Sequence, residues 1–219
     1  SEKSKALEVI KDKLPIEIRD LSMTLLTDTQ NNNELSNLFT IYNNGNITSS
    51  NISDSQKLTV VFKYLGLSCN GNEIVKSLDE LKSAANKIFN SDSFVDLITK
   101  NNEASFDQYS VSYNIESNIY TIKLNSCVTS NDFTFKSLLK ATQSEDEIYI
   151  YEAFGYFVNT GTNQYVVYDN ALRTNKIGEY VDENGNKEFK EVNQLKQYKW
   201  TFKKSSDNNY YFVSVTPII

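Results

Sequence analysis

The sequence predicts an α+β protein in which amphipathic N-terminal helices pack on a curved C-terminal antiparallel β-meander. Three observations predict it. Apolar residues recur at helical spacing through roughly the first hundred positions, two of the stripes following Ser-led capping boxes. From residue 107 the period becomes two. The chain then closes on YKWTFKKSSDNNYYFVSV, two alternating aromatic runs around a polar turn. The boundaries are 1–104 for a mainly helical region and 105–219 for a sheet region, expected to form one compact unit, since a chain of 219 residues can bury one large core.

Leu7, Ile10 and Leu14 make a first helical stripe, which Pro15 interrupts, and Ile18, Leu21 and Leu25 restart it, because Pro is tolerated in the first turn of a helix but not inside one. Leu35, Leu38, Phe39 and Tyr42 form the next stripe, ended by Asn43-Asn44-Gly45. Ser53 to Gln56 and Ser77 to Glu80 both fit the capping box, in which the Ser side chain and the residue three further on satisfy each other's backbone amides. Behind the first follow Leu58, Val61, Phe62 and Leu65, and behind the second Leu81, Ala85, Ile88 and Phe89, each stripe with Lys or Asn opposite. A shorter helix is expected around Phe94 to Ile98.

Tyr109, Val111 and Tyr113 alternate with Ser, and Tyr120, Ile122 and Leu124 with Thr and Lys, which predicts a hairpin with one polar face. Longer strands are expected over 135–142 and 147–158, then 164–169 after the Thr160-Gly161 turn. The stretch 171–197 reads as polar and irregular, with a small hairpin about Asn184-Gly185. Tyr198, Trp200 and Phe202 open the last hairpin and Tyr211, Val213 and Val215 return, making a meander of about five long strands.

A helix-then-meander order is similar to the NTF2-like and cystatin-like folds. The runs EDEIYIYEAFGYFV, YVVYD and YKWTFKKSSDNNYYFVSV, preceded by ISxxxKL at 52–58 and SLDELKxAAxKIF at 77–89, resemble a family of uncharacterised exported or membrane-anchored proteins of low-GC Gram-positive gut bacteria. The resemblance covers about residues 50–219. It implies an extracellular or surface-anchored location, with any signal or anchor outside this segment, and it carries over no catalytic residue.

Composition excludes more than it assigns. With no His, Ser-His-Asp and Cys-His nucleophilic systems and every zinc site that needs imidazole are ruled out, and two cysteines cannot make a four-thiolate site. Carboxylate chemistry and oxygen-ligand metals survive that filter. Arg occurs only at 19 and 173, and 28 acidic residues outnumber 22 basic ones, so a nucleic-acid role is not expected. Asn is about one residue in eight, spread along the chain, as codon bias in an AT-rich genome produces. The sequons at Asn46 and Asn51 follow from the same abundance. No run approaches the roughly 18 apolar residues of a membrane span, and no cofactor motif is present.

The candidate ligand-binding residues are Tyr149, Tyr151, Glu152, Tyr165, Trp200 and Tyr211. Tyr and Trp combine apolar area with a polar tip, so several on one exposed face can stack on sugar rings or anchor a protein, whereas ordinary strand preference accounts for the same residues as core. Tyr149 and Tyr151 must face away from Ile148, Ile150 and Glu152, and Glu152 is the carboxylate most exposed to apolar neighbours. Cys69 and Cys127 fall in expected loops, where a disulfide in an exported protein would tie the helices to the sheet; two free thiols remain the alternative. Asp182 to Glu188 starts like a calcium loop, but Lys187 stands where Gly is required and Asn193 where a bidentate Glu is, so no metal is assigned. The expectation is a non-enzymatic extracytoplasmic binding or spacing module of a bacterial envelope, without cofactor. The alternatives are an NTF2-like small-molecule binder or carboxylate-based hydrolase with a pocket between sheet and helices, and a cytosolic immunity or regulatory protein.

Overall fold

The structure, a computed structural model, describes residues 47–99, 103–106, 109–127, 130–187 and 189–218. The expected helices over 7–42 and the sequon at Asn46 lie outside the described residues. Among these residues the fold is α+β, with antiparallel strands in a seven-stranded and a four-stranded sheet.

Both capping boxes form. Helix α1 (Asp54–Tyr64) starts where Ser53 Oγ accepts from the Gln56 amide at 3.2 Å and Gln56 Oε1 accepts from the Ser53 amide at 3.0 Å. Helix α2 (Leu78–Phe89) repeats this with Ser77 and Glu80, at 3.2 and 2.8 Å. Asn90, at φ 53°, ends α2 in the left-handed conformation. A 3-10 turn (Ser93–Val95) and the short helix α3 (Asp96–Thr99) follow. The helices differ in burial. In α2 the buried residues Leu81, Ala84, Ala85, Ile88 and Phe89 make one stripe, as its sequence pattern predicts. In α1 six consecutive residues, Leu58 to Lys63, are buried, more than a full turn, so α1 is enclosed all round instead of carrying the polar face its Lys residues suggest.

Helix α1 packs on α2 and the 3-10 turn and also meets the smaller sheet, built from β2 (Glu73–Ser77), β3 (Glu103–Phe106), β4 (Tyr109–Asn114) and β5 (Ile119–Leu124) in the order β2-β5-β4-β3. The β4–β5 hairpin was expected in one sheet region with the longer strands; instead it forms the two inner strands of this separate sheet, pairing with β2 through Ile74 opposite Ile122. Strand β2 carries too few apolar residues to show a period. Val111 and Ile122 face the core, while Ser110, Ser112, Thr121 and Lys123 make the expected polar face. Tyr109 packs edge-on against Phe62 of α1 at 5.0 Å, and its hydroxyl donates to the Ser55 carbonyl at 3.1 Å. Because β2 pairs with β5 and one core cluster runs through α1, α2 and both sheets, the regions 1–104 and 105–219 interlock across their boundary.

The larger sheet is organised by β7 (Glu147–Gly161), whose 15 residues are more than twice an ordinary strand. Strand β6 (Phe133–Gln143) pairs along most of one edge of β7. The other edge is shared in series: β10 (Lys196–Lys204) takes residues 147–154 and β8 (Gln164–Tyr168) takes 156–161. Beyond β10 lie β11 (Tyr210–Ile218) and β1 (Ile47–Thr48), and beyond β8 lies β9 (Lys176–Val181). Strand β9 falls in the stretch expected to be irregular. Among the described residues no strand returns beside it after Asn184-Gly185, so the small hairpin expected there is not formed: a type I′ turn needs positive φ at both central residues, and Gly185 has φ 69° while Asn184 does not reach positive φ.

Alternation along β7 then divides two cores between the two faces of one sheet. Ile148, Ile150 and Phe154 point to the helix side, where Tyr198, Trp200, Phe202 and Phe212 join them and Phe89 of α2 meets Phe212 edge-on at 6.2 Å. Ala153 and Phe157 point to the opposite side, into a second core with Tyr165, Val167, Phe189 and Leu195. The segment before β10, which includes a 3-10 turn (Val192–Gln194), covers that second core, and Gly155 permits it: a Cβ there would lie 2.8 Å from Leu195 Cδ2 and 3.0 Å from Phe157 Cε2. Each fully buried side chain of this size contributes roughly 1.5–3 kcal/mol.

Two ties join distant segments. Cys69, after α1, is disulfide-bonded to Cys127, after β5, with 5.6 Å between their Cα atoms. Asn209, in the final hairpin turn, donates through Nδ2 to the Lys87 carbonyl at 2.7 Å, satisfying an acceptor at the C-terminal end of α2.

Candidate binding face

The second core covers only half of the outward face of the larger sheet. On the other half, register places Lys140, Tyr151 and Lys199 side by side on β6, β7 and β10, with Thr142, Tyr149, Thr201 and Ser214 in the next row. Past them Glu147 and Lys203 are opposite one another, and Lys203 is opposite Tyr211 of β11. Neighbouring strands lie about 4.8 Å apart, so phenol rings and ammonium groups alternate on a grid of that spacing. Tyr149, Tyr151 and Tyr211 are half-buried, while Lys140 and Lys203 are exposed.

The lysines and tyrosines order one another. Lys199 Nζ is 4.2 Å from the centre of the Tyr149 ring, and Lys140 Nζ is 5.5 Å from that of Tyr151. A cation over the negative face of an aromatic ring contributes about 0.5–1 kcal/mol at an exposed site. The Tyr149 hydroxyl donates to the Glu147 carboxylate, and that hydrogen bond raises the phenol above its ordinary pKa, with desolvation and the carboxylate charge adding to it.

The six candidate residues therefore divide. Tyr149, Tyr151 and Tyr211 share the outward face. Trp200 is 3% exposed in the helix-side core, and Tyr165 is 6% exposed beneath the covering segment, so neither adds to that surface. Glu152 lies on the helix side, opposite Tyr198 and Leu138. Burial pushes the Tyr198 phenol far above its ordinary pKa, and the charge of Asp169 pushes it further. The lysines of the outward face were missed from the sequence because an ammonium over a ring requires cross-strand register, which single-strand patterns do not give. The alternation of Lys199, Thr201 and Lys203 with core aromatics was the available signal.

Two other polar groupings are accounted for by folding. Asp169 accepts from Asn170 Nδ2 at 2.5 Å and from Asn175 Nδ2 at 2.8 Å, and Asp132 accepts from the Asn159 amide at 2.7 Å and pairs with Arg173 at 3.1 Å, so these carboxylates hold the β8–β9 turn and the entry to β6. Asp182, first residue of the calcium-like run, is 3% exposed and accepts from Tyr180 Oη and the Lys187 amide, both at 3.2 Å. Its carboxylate closes the turn after β9. A cleft of about 360 Å³ opens there, lined by Tyr180, Asp182, Asn186, Phe189 and Glu191 among others. Among the described residues no group of three or more His, Cys, Asp or Glu side chains is arranged to hold a metal ion, and no helix is long and apolar enough to cross a membrane.

Comparison of the chain with protein-family models, with curated proteins and with solved structures finds no match in any of the three.

Proposed function

We propose that this chain is a non-enzymatic binding module that works outside the cytoplasm, at or near a bacterial cell envelope. The observation that carries the reading is the half-open outward face, where Tyr149, Tyr151 and Tyr211 stand among lysines and, among the described residues, no segment covers them as 189–195 covers the second core. A flat array of tyrosines offers stacking area at low entropic cost, and rings held by neighbouring lysines are already oriented. The disulfide supports an oxidising compartment, since such bonds persist there and are rare in the cytosol of ordinary bacteria. The resemblance of residues 50–219 to exported or surface-anchored proteins of Gram-positive gut bacteria supports the same location.

The finer fold reading is an NTF2-like or cystatin-like sheet, supported by helices lying on one side of long antiparallel strands. In its enzymatic or small-ligand version a pocket between sheet and helices would use Glu152. Close packing of Phe212 against Phe89 of α2, with Trp200 and Phe202 packed on Phe212, favours the surface version. The test is saturable binding to a panel of purified surface polymers and isolated Gram-positive cell walls, comparing the unaltered protein with a Tyr149→Ser, Tyr151→Ser, Tyr211→Ser variant that melts at the same temperature. Binding by the unaltered protein alone supports the reading. Equal binding by both, or none by either, overturns it, and a change on Glu152→Gln would favour the pocket.

A further inference from the structure

The geometry points to an anionic glycan as the ligand of the outward face, an inference that rests on the binding-face reading and narrows it. The chain carries a net charge of −6, yet this face is locally cationic: Lys140, Lys199 and Lys203 stand against Glu147 alone among the charged groups that register places on it. Glu147 accepts the Tyr149 hydroxyl, so its charge is partly engaged within the face. A neutral sugar needs rings and hydroxyls, and a polyanion without rings needs only charge. The face has both, in alternation: ammonium groups lie over Tyr149 and Tyr151 at 4.2 and 5.5 Å, and Lys203 is opposite Tyr211.

Sugar rings lying on the phenols would bring carboxylate or sulfate substituents to the flanking ammonium groups, while Thr142, Thr201 and Ser214 offer hydroxyl partners between them. The overall negative charge opposes polyanion binding in general, so attraction depends on a local cationic patch and weakens with salt as the screening length shortens.

The experiment uses two matched pairs of probes and one control: polygalacturonate against its methyl ester, dextran sulfate against dextran, and poly-L-glutamate as a ringless polyanion. Expected is saturable binding of an acidic glycan, at least tenfold weaker for its neutral counterpart and for poly-L-glutamate, and weakened by raising sodium chloride from 50 to 500 mM, on the order of what about three exposed ion pairs supply. The Lys140→Gln, Lys199→Gln, Lys203→Gln variant, with unchanged melting temperature, should lose that preference and most of the salt dependence. Neutral glycans bound equally well and without salt dependence would overturn the inference while leaving the binding-face reading intact. Equal binding of poly-L-glutamate would replace the glycan with an acidic peptide. Binding of none of the probes overturns the inference, and the broader panel of surface polymers decides the binding-face reading separately.

Discussion

Lys199 and Tyr149 sit on adjacent strands with the ammonium 4.2 Å above the ring centre, and Glu147 accepts the hydroxyl of the same ring. One phenol is thus fixed from its face and from its tip. Tyr149 should titrate above the ordinary tyrosine range, since ionising it gives up the hydrogen bond to Glu147 and would place a phenolate against that carboxylate. Glu147→Gln should bring that titration down, measurable by NMR of ring-labelled Tyr149. An unchanged titration would mean that the Glu147 contact does not govern it.

Gly155 and Leu195 are a second coupled pair. Gly155→Ala should cost about 1–3 kcal/mol through overpacking, since the new methyl needs space that Leu195 and Phe157 fill. Adding Leu195→Ala should make the Gly155 change nearly free. In denaturant melts this would appear as a favourable coupling energy, whereas simple additivity would place the strain elsewhere.

The Cys69–Cys127 disulfide closes a loop of 58 residues around β2, α2 and the smaller sheet. In the chain-entropy model its loss through Cys69→Ser, Cys127→Ser costs up to about 4 kcal/mol. Urea melts should show a lower midpoint for the variant, and adding reductant should lower the midpoint of the unaltered protein but not of the variant.

The two capping boxes differ in one respect that pH exposes. Glu80 is held below its ordinary carboxylate pKa, first by the Ser77 amide and then by Lys76, whereas Gln56 does not titrate. A carboxylate depressed in the folded state contributes stability that is present above its unfolded pKa and is lost as pH falls through the folded value. Stability should therefore decline below about pH 4.5 in part through α2, and Glu80→Gln, which keeps the box, should flatten that part. Ser53→Ala should cost about 1 kcal/mol at every pH.

What the sequence made legible were features written within one segment. Ser53, Gln56, Ser77 and Glu80 carry their caps in four-residue windows, and the alternation of Tyr149 and Tyr151 with Ile148 and Ile150 separates the two faces of β7 correctly. What depended on partners was hidden. Nothing local marks Glu73–Ser77 as a strand, because its place comes from Ile74 opposite Ile122. Whether Trp200 and Tyr165 are surface or core is undecided in the sequence, because the helix-side core that takes Trp200 and the second core that takes Tyr165 are assembled from distant segments. Half of the binding face was readable as tyrosines, and the lysine half required the register of three strands.

The most direct test of the account is to map NMR chemical shifts of the protein titrated with the acidic glycan of highest affinity. The largest changes should fall on Lys140, Tyr149, Tyr151, Lys199, Lys203 and Tyr211, and residues lining the Tyr180–Asp182 cleft should stay unmoved. Changes concentrated in that cleft or around Glu152, with the outward face unaffected, would contradict it.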